Sequence, residues 1–75
     1  MKNFRRFSAG ALALGFVLGT YRGYVALWED GYPDPRQIYP CPVVSLPLAD
    51  QAALEEGVRA RSRMELELLL EDYLS

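Results

Sequence analysis

Residues 7–21 read FSAGALALGFVLGTY, a run without a charged side chain. The six residues before it include one lysine and two arginines. A basic start followed by an apolar run is typical of segments that enter a membrane. The rest of the chain has a different composition. The sequence therefore predicts two parts, a membrane-directed segment over residues 1–22 and a small domain over residues 23–75.

Three interpretations of the apolar run compete: an uncleaved membrane anchor, a cleaved signal peptide and a buried helix of a soluble domain. A helix from Phe4 to Tyr21, with Arg5 and Arg6 reaching back to the headgroups, would measure about 27 Å, close to the roughly 30 Å hydrocarbon core. The end of the run, Gly19–Arg22, lacks the small-x-small pattern that a signal peptidase prefers. A buried helix fits poorly, because no polar stripe would face water. We favour a single-pass transmembrane helix with the N-terminus in the cytoplasm and the domain outside, and keep cleavage as the alternative.

Two glycines within the run form a candidate helix-pairing face. Gly15 and Gly19 are four residues apart, the spacing of small residues that lets two membrane helices approach closely. The alternative is that glycine and alanine simply fill a short segment.

Composition restricts the chemistry of the domain. Residues 1–28 carry four basic and no acidic side chains, and residues 29–75 carry ten acidic and four basic ones. An acidic domain argues against binding nucleic acid, which needs a clustered basic surface. Cys41 is the single cysteine and the chain has no histidine, so an internal disulfide and the usual zinc sites are excluded. We therefore predict no catalytic residues, no metal site and no cofactor.

The first part of the domain reads as a β-hairpin. Gly23–Asp30 is rich in strand-forming residues, and Gly31–Pro35 has the chemistry of a turn. Arg36–Leu46 is predicted to return as an antiparallel strand. Pro40 and Pro42 lack the amide hydrogen of a ladder, so this strand should lie at an edge or have an irregular middle.

The second part reads as two helices. Pro47–Glu56 is a short helix, and Val58–Arg61 is either a third strand or an extended link. Ser62 and Glu65 match a capping box that opens the last helix, Arg63–Tyr73. The predicted fold class of the domain is α+β: an antiparallel β-hairpin, or three strands, with two helices on one face.

A sheet covered on one face leaves side chains for a partner on the other. Tyr24, Trp28 and Tyr39 are candidate exposed aromatics, with a core position as the alternative for Trp28. Glu71 and Asp72 lie in the last helical turn, where the helix dipole favours cations. Two explanations stay open for acidic residues at this end of the helix: packing of the helix compensates for them, or they form an acidic surface for a partner.

Several short motifs follow one another in a recognisable order from residue 21 onward. They are Tyr21–Trp28 (YRGYVALW), Val43–Pro47 (VVSLP), Asp50-Gln51, Leu54–Val58, Glu65-Leu66 and Leu69–Tyr73 (LLEDY). In order and spacing they resemble the C-terminal domain of the bypass-of-forespore C (BofC) family of spore-forming Firmicutes. Small clostridial proteins pair that domain directly with an N-terminal anchor. The resemblance covers about 50 residues, the length of one small domain.

The resemblance implies an exported, non-enzymatic, regulatory protein linked to sporulation. Proteins of that family act between forespore and mother cell and restrain a serine peptidase, so the expected partners are the membrane and a protein, by resemblance an extracytoplasmic peptidase. The chain departs from the family in two ways. Its length leaves no room for the family's other, N-terminal domain, and Pro40 and Cys41 stand where ordinary strand residues are expected. No binding residue is carried over from the family.

The predicted function is a membrane-anchored extracytoplasmic interaction domain without catalysis. The alternative is a small accessory subunit that joins a membrane complex through its transmembrane helix.

Overall fold

The computed structural model describes residues 15–74, which form an antiparallel four-stranded sheet with two helices. The strand order across the sheet is β3-β2-β1-β4. The α+β class and the two predicted helices are confirmed, and the sheet is larger than the predicted hairpin. The elements are β1 (Phe16–Tyr21), β2 (Tyr24–Glu29), β3 (Gln37–Pro42), α1 (Leu48–Glu56), β4 (Val58–Ala60) and α2 (Arg63–Leu74).

The first strand occupies residues for which the sequence predicted a membrane helix. Phe16–Tyr21 pairs over its whole length with β2 and, through its first half, with β4. The predicted helix is therefore wrong for Phe16–Tyr21, and the sheet begins before the expected domain start at residue 23. The physical reason is that an apolar run rich in phenylalanine, valine and tyrosine also suits a central strand with neighbours on both sides. The remainder of the run, residues 7–14, lies outside the described part of the chain.

A two-residue turn joins β1 to β2. Its central residues, Arg22 and Gly23, both have positive φ, 53° and 87°. Such turns match the right-handed twist of the strands they connect, which sets Tyr21 opposite Tyr24. The turn thereby fixes the register of the hairpin, and with it which side chains share a face.

The edge position predicted for the proline-containing strand is confirmed. Among the strands of residues 15–74, β3 pairs only with β2, in antiparallel orientation, and the register shifts between Tyr24 and Ala26. The strand is shorter than predicted, because after Pro42 the chain turns into a short 3-10 helix, Val43–Ser45. There the amide of Val43 donates to the carbonyl oxygen of Gly23 at 2.9 Å, which ties the chain back to the β1–β2 turn.

The end of α1 at Glu56 and the start of α2 at Arg63 lie where the sequence predicts them. α1 is followed by Gly57, whose positive φ of 98° is a backbone conformation that glycine adopts more readily than other residues. At the start of α2, the Ser62 hydroxyl accepts a hydrogen bond from the Glu65 amide at 3.1 Å. The serine half of the predicted capping box is therefore confirmed. The Glu65 carboxylate accepts a hydrogen bond from the Arg61 amide at 2.7 Å, one residue before the cap, rather than from the Ser62 amide. Val58–Ala60 is a strand rather than a link.

The core lies between the sheet and the helices. Its most buried side chains are Leu18, Val25 and Leu54, each at most 1% exposed. α2 contributes Leu66, which is buried, and Leu69, Leu70 and Tyr73 on the same face pack against the same cluster. The buried members are Phe16, Leu18, Val25, Leu27, Val43, Leu54, Ala60 and Leu66.

Candidate functional site

The side of the sheet that faces away from the core cluster carries a group of large apolar side chains. Alternation along the strands and the β1–β2 register bring side chains from three strands onto this side. Two of them, Tyr24 and Ile38, are 43% and 48% exposed. We call this group the open face, and it consists of Val17, Tyr21, Tyr24, Trp28 and Ile38.

Trp28 lies at the centre of the open face. Its ring meets Tyr21 edge-on, with ring centroids 6.3 Å apart and planes at 69°. It also covers Gly19, since a β-carbon at that position would come within 3.2 Å of the indole ring. Trp28 is half-buried, so it is neither fully exposed nor a core residue, the two alternatives that the sequence left open. Tyr21 and Trp28 hold one another in place, and Trp28 also packs on Gly19. These rings therefore form a rigid apolar surface that loses little side-chain entropy when a partner binds.

The rim of the open face is more exposed than its centre. The guanidinium of Arg22 lies 5.2 Å from the centroid of the Tyr21 ring, a cation–π distance. Beneath the large side chains, Ala26 is fully buried. The centre is therefore packed like a small core, while Tyr24 and Ile38 at the side of β3 remain available to contact another molecule.

An ion pair closes one end of the open face. Both carboxylate oxygens of Asp30 accept hydrogen bonds from Arg59, at 3.0 and 3.2 Å, and one of them also accepts the amide of Gly15 at 3.2 Å. This network joins the beginning of β1, the end of β2 and β4. A β-carbon at Gly15 would lie 2.5 Å from the Arg59 guanidinium, so glycine leaves the space in which the pair forms.

The two glycines proposed as a helix-pairing face have other surroundings. Gly19 belongs to β1 opposite Ala26, and Gly15 lies next to the first residue of that strand. Neither residue lies on a helix, so the pairing face that depended on one is corrected. Their small size instead makes room for Trp28 and for the Asp30–Arg59 pair.

Tyr39 does not join the open face. It follows Ile38 on β3, so its side chain points to the opposite side and packs against the core cluster. Burial raises the pKa of its phenol above the ordinary value of 10.0. Of the three aromatics predicted for a partner surface, the structure therefore brings together Tyr24 and Trp28 and separates Tyr39 from them.

The two predicted acidic residues lie on the outer side of α2. Glu71 and Asp72 are exposed, and Glu71 lines a shallow depression of about 380 Å³ together with Leu70 and Leu74. Burial raises the pKa of the neighbouring Tyr73, and the negative charges of Asp50 and Asp72 raise it further. This acidic surface and the open face lie on different sides of the domain.

Sequence reasoning missed three members of the open face: Val17, Tyr21 and Ile38. The first two were hidden because β1 was taken for a membrane segment. The signal that would have found them is the pairing across Arg22-Gly23, which sets Val17 opposite Trp28 and Tyr21 opposite Tyr24.

The side chains and helices of residues 15–74 bear on metal binding and on membrane spanning. No group of three or more cysteine, aspartate or glutamate side chains within residues 15–74 is placed to hold a metal ion. Neither α1 nor α2, the helices of this part of the chain, is long and apolar enough to span a bilayer.

Comparisons with protein-family models, with curated proteins and with solved structures found no match. The resemblance to the BofC C-terminal domain consequently stays a prediction from its motifs.

Proposed function

We propose that residues 15–74 form a non-enzymatic interaction domain that binds a protein partner through the open face. The observation that carries the proposal is the exposure of Tyr24 and Ile38 beside the packed pair of Tyr21 and Trp28. Aromatic side chains with a rigid setting are enriched at the centres of protein interfaces, where they supply contact area at low entropic cost.

The charges around the open face also favour a protein partner. Asp30 and Arg59 neutralise one another at one end, and Arg22 is held over Tyr21 at the other. Most of the acidic side chains lie elsewhere, on α1 and α2. A largely uncharged aromatic surface suits apolar contacts with a polar rim, the usual anatomy of a protein–protein interface.

We further propose that the domain works outside the cytoplasmic membrane. Support comes from the basic residues that precede the apolar run, a charge pattern that keeps the N-terminus in the cytoplasm. Because Phe16–Tyr21 belongs to the sheet, these residues cannot at the same time lie in a helix that spans the bilayer over residues 7–21. A regulatory partner of the peptidase class, and a role in sporulation, are the parts of the proposal that depend on the family resemblance alone.

The alternative of an accessory subunit held by its transmembrane helix has less support. It relied on Gly15 and Gly19 as a contact between helices, and both glycines have packing roles in the sheet. The interaction proposal therefore rests on the open face.

The proposal can be tested with two matched charge substitutions. Ile38→Lys places a charge on the open face, and Leu68→Lys places one on the outer side of α2, where Leu68 is 59% exposed. Both sites are exposed, so each variant should keep the fold within about 0.5 kcal/mol. Full-length wild type and both variants would be cross-linked on intact cells of the source organism, and the captured proteins identified by mass spectrometry.

We expect a partner that is captured by wild type and by Leu68→Lys and is lost with Ile38→Lys. The affinity of Ile38→Lys for the partner should be lower than that of wild type by at least about tenfold, because a charge placed in an apolar contact costs more than about 1.4 kcal/mol. Equal capture by all three proteins would contradict the proposal. So would loss with Leu68→Lys alone, which would move the interface to the acidic helix.

A further inference from the structure

The apolar run and the sheet compete for the same residues. Phe16–Tyr21 forms the second half of the uncharged run of residues 7–21, and it is also an interior strand of the sheet. Phe16 and Leu18 of this strand are core residues, 9% and 0% exposed. The run therefore has the composition of a membrane segment, and its second half is also a necessary part of the domain.

Hydrogen bonding makes the two uses exclusive. In lipid, each backbone amide and carbonyl must be satisfied within the segment, which a helix achieves through bonds four residues apart. In the sheet, the backbone groups of β1 bond to β2 on one side and to β4 on the other. The same groups cannot do both. The segment also differs in length between the two states, because a helix rises about 1.5 Å per residue and a strand about 3.3 Å.

Removing β1 would affect the whole domain. β4 is only three residues long, and among the described strands it pairs with β1 alone. β2 would become an edge strand, and the core would lose Leu18 from its centre. The open face would lose Val17 and Tyr21, and with them the ring packed against Trp28.

We propose that residues 16–21 are a shared segment whose withdrawal from the membrane switches the domain on. While lipid holds them, the sheet and the open face are not assembled, and when lipid releases them they form β1 and complete both. This inference rests on the membrane part of the proposed function and adds a regulation to it: the partner surface exists only on chains that have left the bilayer.

The experiment follows amide hydrogen exchange of the full 75-residue chain with and without vesicles of phosphatidylethanolamine and phosphatidylglycerol. The readout is the exchange rate of peptides covering β2 and β4, neither of which belongs to the apolar run. For the vesicle-bound wild type we expect exchange at least about 100-fold faster than in solution, because both strands lose their ordered neighbour. No partner protein is needed.

A matched variant separates insertion from other effects of lipid. Ala13→Arg puts a charge into the apolar run outside β1, so it disfavours insertion without altering the strand. In solution it should exchange like wild type, and adding vesicles should leave its rates within about twofold.

Three results would overturn the inference. Wild type bound to vesicles with slow exchange in β4 would show that membrane contact and the sheet coexist. Failure of wild type to bind vesicles would remove the competition altogether. Fast exchange of Ala13→Arg with vesicles would trace the effect to the lipid surface rather than to β1. Failure of wild type to bind vesicles would also count against the membrane part of the proposed function. None of the three results would affect the test of the open face with the Ile38 and Leu68 variants.

Discussion

Shortening Leu18 tests directly whether β1 belongs to the stability of the domain. Leu18 is fully buried at the centre of the core. Leu→Ala changes at such positions cost about 3–5 kcal/mol. A domain of about 60 residues has a free energy of unfolding of only about 3–9 kcal/mol, so Leu18→Ala should remove at least about a third of it. Leu18→Val is the more useful variant, because it removes one methylene and should cost about 1 kcal/mol.

The assay is urea denaturation of the full chain followed by the fluorescence of Trp28, the single tryptophan, which lies across the β1–β2 pair. We expect Leu18→Val to lower the free energy of unfolding by about 1 kcal/mol and Leu18→Ala by at least about 3 kcal/mol. Leu68→Ala, on the exposed side of α2, is the control and should change it by less than about 0.5 kcal/mol.

A second control distinguishes the sheet from a membrane segment. Leu12 lies in the same apolar run as Leu18, outside the described strand. If residues 7–21 acted as one separate helix, Leu12→Val and Leu18→Val would leave the domain equally stable. Equal unfolding midpoints for the two variants, or a Leu18→Val midpoint indistinguishable from wild type, would refute the assignment of β1 to this core.

Three further substitutions test individual contacts. Ser62→Ala removes the side-chain acceptor at the start of α2 and should lower the free energy of unfolding by about 1 kcal/mol, measured by urea denaturation. Asp30→Asn breaks the partly exposed ion pair with Arg59 and should cost less than about 1 kcal/mol, a difference that should shrink when the measurement is repeated in high salt. Because burial raises the pKa of Tyr39 and Tyr73 above 10.0, the unfolded chain releases these protons first as the pH rises, so stability present below pH 10.0 should fall above it. Tyr39→Phe should reduce that fall between about pH 8 and about pH 11, and an unchanged fall would exclude Tyr39 as a contributor.

The later part of the fold was predictable because its signals are local. The hairpin turn after Asp30, the prolines of the edge strand and the capping box at Ser62 each act within a few residues. The exact end of β3 was not predictable, because the chain leaves the sheet after Pro42 to bring Val43 into the core, a tertiary contact with no local pattern.

The site was only partly predictable, because membership of a sheet face depends on register. Strand alternation is enough to place Ala26 and Trp28 on the side of β2 opposite Val25 and Leu27, which is where the structure has them. It could not assign Tyr39, since its orientation follows from the pairing of β3 with β2.

The error at β1 has a specific physical source. An uncharged run lacks the alternation that marks a half-buried strand, so its composition alone does not tell a membrane helix from an interior strand. The deciding information lies in the turn that follows. Arg22 adopts positive φ, which is uncommon for a residue with a β-carbon, and Arg22-Gly23 is not one of the common turn pairs. With a more typical pair at this turn, the hairpin would have been evident from the sequence. The apolar run would then have been divided at Gly15, with the strand assigned to the domain and the preceding residues assigned to targeting.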